Sequence, residues 1–70
     1  PRPSTEEIVE MILRHARMQV EYKGEYTGIR EMRKHVAWYT QGLPHSSSLR
    51  REVNQVETYD QLEDLLRKRY

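Results

Sequence analysis

Three cations in one short run carry the clearest chemistry of this chain: Arg30, Arg33 and Lys34, within Gly28 to Pro44. On a helical wheel with Ile29 at the origin they fall at about 100°, 40° and 140°, and Ala37 lies among them at about 80°. Arginine forks suit bidentate contacts to phosphate oxygens, and a small residue between cations lets a sugar–phosphate backbone come close. Glu31 is the one acid in the run, so the field is not cancelled locally. Arg50 and Arg51, read as the start of the next helix, extend the positive set. These residue types point to a grip on a polyanion. The blander alternative is a solvated helix face, with Arg50 or Arg51 merely paired to Glu52 or Glu57.

The neighbouring rings are weighed the same way. His35, near 240°, sits at the edge of the apolar arc and reads as a hydrogen-bonded border residue, because no carboxylate or nucleophile stands at a spacing that makes a triad. His15 and His45 are too scattered in sequence to join it as a metal site, and no metal is expected. Trp38, near 180°, has two uses open to it: stacking on a base or sugar, or packing against a neighbouring helix or domain. The sequence holds no glycine-rich phosphate loop, no evident pair of carboxylates in a cleft and no nucleophile beside a base. A bundle of this size also struggles to enclose the several hundred Å³, roughly, of a cofactor pocket. No catalytic, cofactor-binding or metal-binding residue is therefore expected, and the chain reads as a binder rather than an enzyme.

Four elements must position these residues. Ser4-Thr5-Glu6-Glu7 offers a capping box, and Ile8, Val9, Ile12, Leu13, Ala16 and Val20 recur at helical spacing as far as about Tyr22. Lys23 to Gly28, with two glycines, reads as a connection of about five residues between antiparallel helices. Ile29, Met32, Val36 and Tyr39 then share an arc of about 80°, the core side of helix two. Gly42 supplies a left-handed stop and Pro44 prevents the helix from resuming. Ser46, Ser47 and Ser48 offer N-caps for a short helix three with Leu49, Val53 and Val56, and Thr58-Tyr59-Asp60-Gln61 is a second capping box. Helix four carries Tyr59, Leu62, Leu65 and Leu66 as its stripe, with Arg67, Lys68 and Arg69 in the last turn. The fold class is all-α, a small four-helix bundle forming one domain over residues 1–70.

Composition agrees. The net charge is +1, but Gly28 to Val56 holds five basic and two acidic residues, net +3, while the segments on either side are each net −1. With no cysteine there is no disulfide framework and no thiolate. No apolar run approaches the roughly 20 residues that span a bilayer, and Pro1-Arg2-Pro3 lacks both a signal-peptide core and an initiator methionine. These features point to an intracellular, cytoplasmic setting and to a piece of something longer.

The run Arg30-Glu31-Met32-Arg33-Lys34-His35-Val36-Ala37-Trp38-Tyr39, followed by Gly42-Leu43-Pro44 and Leu49-Arg50-Arg51, resembles the C-terminal helical domain of bacterial tRNA-dihydrouridine synthases, nearest to their B-type branch. Glu21-Tyr22-Lys23-Gly24-Glu25 and Asn54-Gln55 with Thr58 extend the likeness over most of Met18 to Leu66. The resemblance implies a parent enzyme whose N-terminal (β/α)8 barrel, absent from this chain, reduces selected uridines of tRNA with FMN and NADPH or NADH. It implies that the helical domain is an accessory that holds tRNA over the barrel. The family's catalytic cysteine and flavin-binding residues belong to that barrel, so nothing catalytic carries over. What does carry over is the basic set Arg30, Arg33, Lys34 and His35, with Arg50 and Arg51 as a second contribution. Gln41 stands where the family often has lysine, and His45 where it has a small residue, which leaves the end of the patch less positive. Two other uses stand beside tRNA binding: a protein-interaction module, docking through Trp38 on its own barrel or another protein, and a DNA-binding helix-turn-helix. The proline-containing connection Gly42 to Ser46 is longer than such a turn uses, which argues against the latter.

Overall fold

A computed structural model describes residues 3–70, and the reading of Pro1-Arg2-Pro3 as lacking a signal-peptide core falls largely outside them. Four helices follow in order: α1 (Thr5–Lys23), α2 (Glu25–Tyr39), α3 (Ser46–Val53) and α4 (Tyr59–Arg69), with no strand among the described residues. Both expected capping boxes form. Ser4 Oγ accepts from the Glu7 amide at 3.1 Å while Glu7 accepts from the Ser4 amide at 2.8 Å. Thr58 Oγ1 and Gln61 do the same for α4, at 3.1 and 3.3 Å. Each pair satisfies donors that the first helical turn leaves orphaned.

The connection between α1 and α2 differs from the expectation. It is not five residues but one, Gly24, at φ +84°. Gly28, read as part of the turn, lies inside α2 and is buried. A Cβ at Gly28 would stand 2.8 Å from the Gln19 carbonyl oxygen of α1, so this glycine serves close helix approach rather than chain reversal. At the other end α2 stops at Tyr39, Thr40 folds its hydroxyl back onto the Val36 carbonyl at 2.8 Å, and Gly42 takes φ +90° in the turn that follows. The expected serine cap of α3 is corrected too. His45, at φ +62°, occupies the N-cap position without a side-chain cap, and the three serines form the first turn of the helix. Val56 lies beyond α3, in the connection to α4, yet stays buried.

The apolar stripes meet as their spacing requires. Val9, Ile12, Leu13 and Ala16 of α1, Ile29, Met32 and Val36 of α2, Leu49 and Val53 of α3, Val56, and Leu62 and Leu66 of α4 form one core, with Ile8, Val20, Tyr39, Tyr59 and Leu65 half-buried around it. The antiparallel α1–α2 pair is the base, α4 packs on α1, and α3 bridges α2 and α4. Polar clasps join the ends: Glu25 accepts from the Tyr59 amide at the start of α4 (2.9 Å), and Arg17 donates to the Tyr59 hydroxyl (3.2 Å). No described helix is long and apolar enough to cross a membrane.

Candidate nucleic-acid interface

Helix α2 carries four of the six basic candidates, and the structure divides them. Arg33, the cation nearest the core arc, turns inward: Nε and Nη2 both donate to the Val56 carbonyl, at 3.1 and 2.7 Å. That carbonyl lies in the α3–α4 connection, so Arg33 pins this loop to α2. Arg30 lies over the Tyr26 ring, 3.6 Å from its centroid. It also donates to the Tyr26 carbonyl at 3.1 Å and pairs with Glu57 at 3.4 Å. Lys34 is exposed and makes no ion pair among the described residues.

Arg50 and Arg51 sit in the last turn of α3 rather than at its start, where cations complement the helix dipole. Both are exposed. Neither pairs with the acids beside them, because Glu52 is taken by Arg69 and Glu57 by Arg30. Glu31 is engaged as well, with Lys23 at 2.7 Å. The acids closest in sequence to the candidates are thus neutralised by cations from outside the candidate set or by Arg30, while Lys34, Arg50 and Arg51 make no ion pair among the described residues.

His35 leaves the cationic flank and joins a different group. It makes no hydrogen bond among the described residues, contrary to the reading of it as a hydrogen-bonded border residue. Instead its ring lies 4.7 Å from that of His15, tilted by 44°. His15 Nδ1 is 3.2 Å from the Tyr39 hydroxyl. Burial pushes the His15 imidazole below the ordinary histidine value, and the charge of His35 acts in the same direction. Trp38 stands edge-on to His35, 6.4 Å between centroids, and is 74% exposed. Its indole is thus largely open to solvent rather than enclosed by the described helices.

His15 is the residue that sequence reasoning set aside. It lies nine positions before Gly24 and His35 eleven after, so an antiparallel hairpin folded at Gly24 brings them face to face. Placing the reversal over Lys23 to Gly28 hid that register. Among the described residues no group of three or more potential ligands could hold a metal ion.

Comparison with known proteins adds the family context. Residues 1–70 match the family model described as "Dihydrouridine synthase (Dus)". A "Probable tRNA-dihydrouridine synthase" of Mycobacterium tuberculosis strain H37Rv is 42% identical over 64 residues, which is 91% of this chain and 16% of that protein. One of Rickettsia bellii is 43% identical over 54 residues, 77% of this chain and 17% of that protein. The "tRNA-dihydrouridine synthase B" of Vibrio cholerae is 39% identical over 66 residues, 94% of this chain and 20% of that protein. The chain thus spans about a fifth or less of the length of these relatives and aligns with their C-terminal part. No solved structure gives a significant match.

Proposed function

Because the chain belongs to the dihydrouridine synthase family, we propose that it is the tRNA-gripping helical domain of a longer, flavin-dependent tRNA-dihydrouridine synthase, holding tRNA while a separate barrel reduces the uridine. One observation supports this reading: Lys34, Arg50 and Arg51 are exposed and make no ion pair among the described residues, while the acids near them in sequence, Glu31, Glu52 and Glu57, are already paired with other cations. Such cations neutralise phosphates and position the RNA backbone without specifying bases.

The described residues do not fit FMN. An open depression beside the start of α1 is lined by Glu6, Glu7 and Glu10 against Arg14 and Arg67, of which Arg67 is already paired with Glu10 and Glu63, and the chain has no glycine-rich phosphate cradle. The flavin and its nicotinamide donor therefore belong, in this reading, to the barrel of the parent protein. This domain's contribution is to bind and orient.

The test is tRNA affinity measured across a salt series. About three neutralised phosphates give a slope of log affinity against log salt of about −2 to −3. Lys34→Ala is expected to weaken binding at low salt and to make the slope shallower by about 1. An unchanged affinity together with an unchanged slope would overturn the proposal. The exposure of Met18 (61%) and Tyr22 (87%) along one edge of α1 favours a second reading, a docking surface for the catalytic barrel or another protein. Met18→Lys is then expected to weaken association with that barrel while leaving RNA binding unchanged.

A further inference from the structure

The ring cluster at the α1–α2 seam is not explained by a phosphate grip. Its depression is lined by His15, His35, Trp38 and Tyr39, all ring side chains and none aliphatic. The Trp38 indole and the His35 imidazole meet at 90°, forming a corner with one wall on each ring. His35 is backed by His15 at 4.7 Å, and His15 is tied to the Tyr39 hydroxyl, so the inner wall is braced from both helices. The outer wall, Trp38, is 74% exposed.

Two π-surfaces at a right angle suit one flat ring, stacked on one wall and edge-on to the other. The surroundings add a charge preference. Lys34 is exposed and unpaired among the described residues, and at i, i+4 it is the helix-surface neighbour of Trp38, roughly 6 Å away between Cβ atoms. That separation is within the span of a single nucleotide, from base to phosphate. An aromatic platform beside a cation is the arrangement by which unpaired nucleotides are held.

We propose that the corner formed by Trp38 and His35, braced by His15 and Tyr39, receives one unpaired nucleobase of the bound RNA, with Lys34 on the phosphate of that nucleotide. The proposal rests on the RNA-gripping role above and goes beyond it, because it assigns a base-contacting site and excludes paired RNA from it. In a duplex the base faces are covered by their stacked neighbours and cannot enter the corner.

Trp38 is the single tryptophan of the chain, so tryptophan emission, excited selectively over the five tyrosines, reports on this site alone. The protein is titrated at low salt with a single-stranded oligoribonucleotide, with tRNA and with a fully paired RNA duplex, and affinity is followed independently by the anisotropy of labelled RNA. The single strand and the tRNA are expected to quench Trp38, and the duplex to bind without quenching. Trp38→Ala is expected to weaken the single strand by about 5- to 150-fold, equivalent to about 1–3 kcal/mol per stacked base at about 1.36 kcal/mol per tenfold. Duplex affinity should not change, and Trp38→Phe should recover part of the loss. RNA binding with unmoved Trp38 emission and an unaffected alanine variant overturns the stacking site while leaving the grip intact, and returns the corner to a protein-docking role. Absence of any RNA binding overturns both. Trp38 is exposed, so these variants leave the core untouched.

Discussion

Arg33 and Lys34 are adjacent in sequence and do different things. On the wheel Arg33 lies at about 40°, close to the core arc, and Lys34 at about 140°. A long side chain near the arc reaches inward, and the guanidinium finds the Val56 carbonyl with two of its five N–H donors. Lys34, a turn-width further round, reaches only solvent. Arg33→Ala is therefore expected to cost about 1–3 kcal/mol of folding stability, because it strips a carbonyl beside the core of its partners. The denaturant midpoint measures this loss. Lys34→Ala should leave that midpoint within about 0.5 kcal/mol of the parent, as exposed substitutions do. An RNA-affinity loss in Arg33→Ala then has two components, whereas one in Lys34→Ala has only the electrostatic one. The residue types on this flank were legible in the sequence. The division of labour among them was not, since it depends on where the α3–α4 connection lies.

At the scale of elements, Gly28 decides how α1 and α2 meet. Helix propensity by itself says that Gly28→Ala stabilises α2 by about 1 kcal/mol. The structure predicts the opposite sign, because the new methyl would lie 2.8 Å from the Gln19 carbonyl oxygen and 3.0 Å from the Val20 amide nitrogen, both rigid backbone. Overpacking of this kind costs about 1–3 kcal/mol. At about 4–8 °C per kcal/mol for a domain of this size, thermal melting of Gly28→Ala should show a clear drop, and a rise would refute the close approach. The hairpin register that Gly28 permits also sets His35 against His15 and so builds the ring corner. The two capping boxes and the apolar stripes were readable because they are local, within four residues. The reversal at Gly24 was not separable from Gly28, since both are glycines and only a neighbouring helix tells a turn glycine from a packing glycine.

The whole molecule is expected to show a stability plateau in pH bounded by two half-buried rings. The His15 imidazole sits below its ordinary value of 6.5, first through burial and then through the charge of His35. The unfolded chain therefore binds the proton more tightly, so stability is complete above pH 6.5 and falls as pH drops through the folded value. On the alkaline side burial pushes the Tyr70 phenol above 10.0, and its hydroxyl has no partner among the described residues. Stability there is complete below pH 10 and is lost as pH rises through the raised value. Denaturant midpoints from pH 7.5 down to 5.5 should decline for the parent protein and stay flat for His15→Gln. A parallel decline in both would remove His15 as the cause. Across this molecule the sequence by itself determined the number and kind of elements, their apolar faces and a cationic second helix, because helical period, capping and charge are properties of short segments. Only the tertiary structure decided which cations stay free, which glycine turns the chain, and that His15, His35, Trp38 and Tyr39 share one corner. Those outcomes depend on the register between helices, and register is fixed by contacts between residues far apart in the chain.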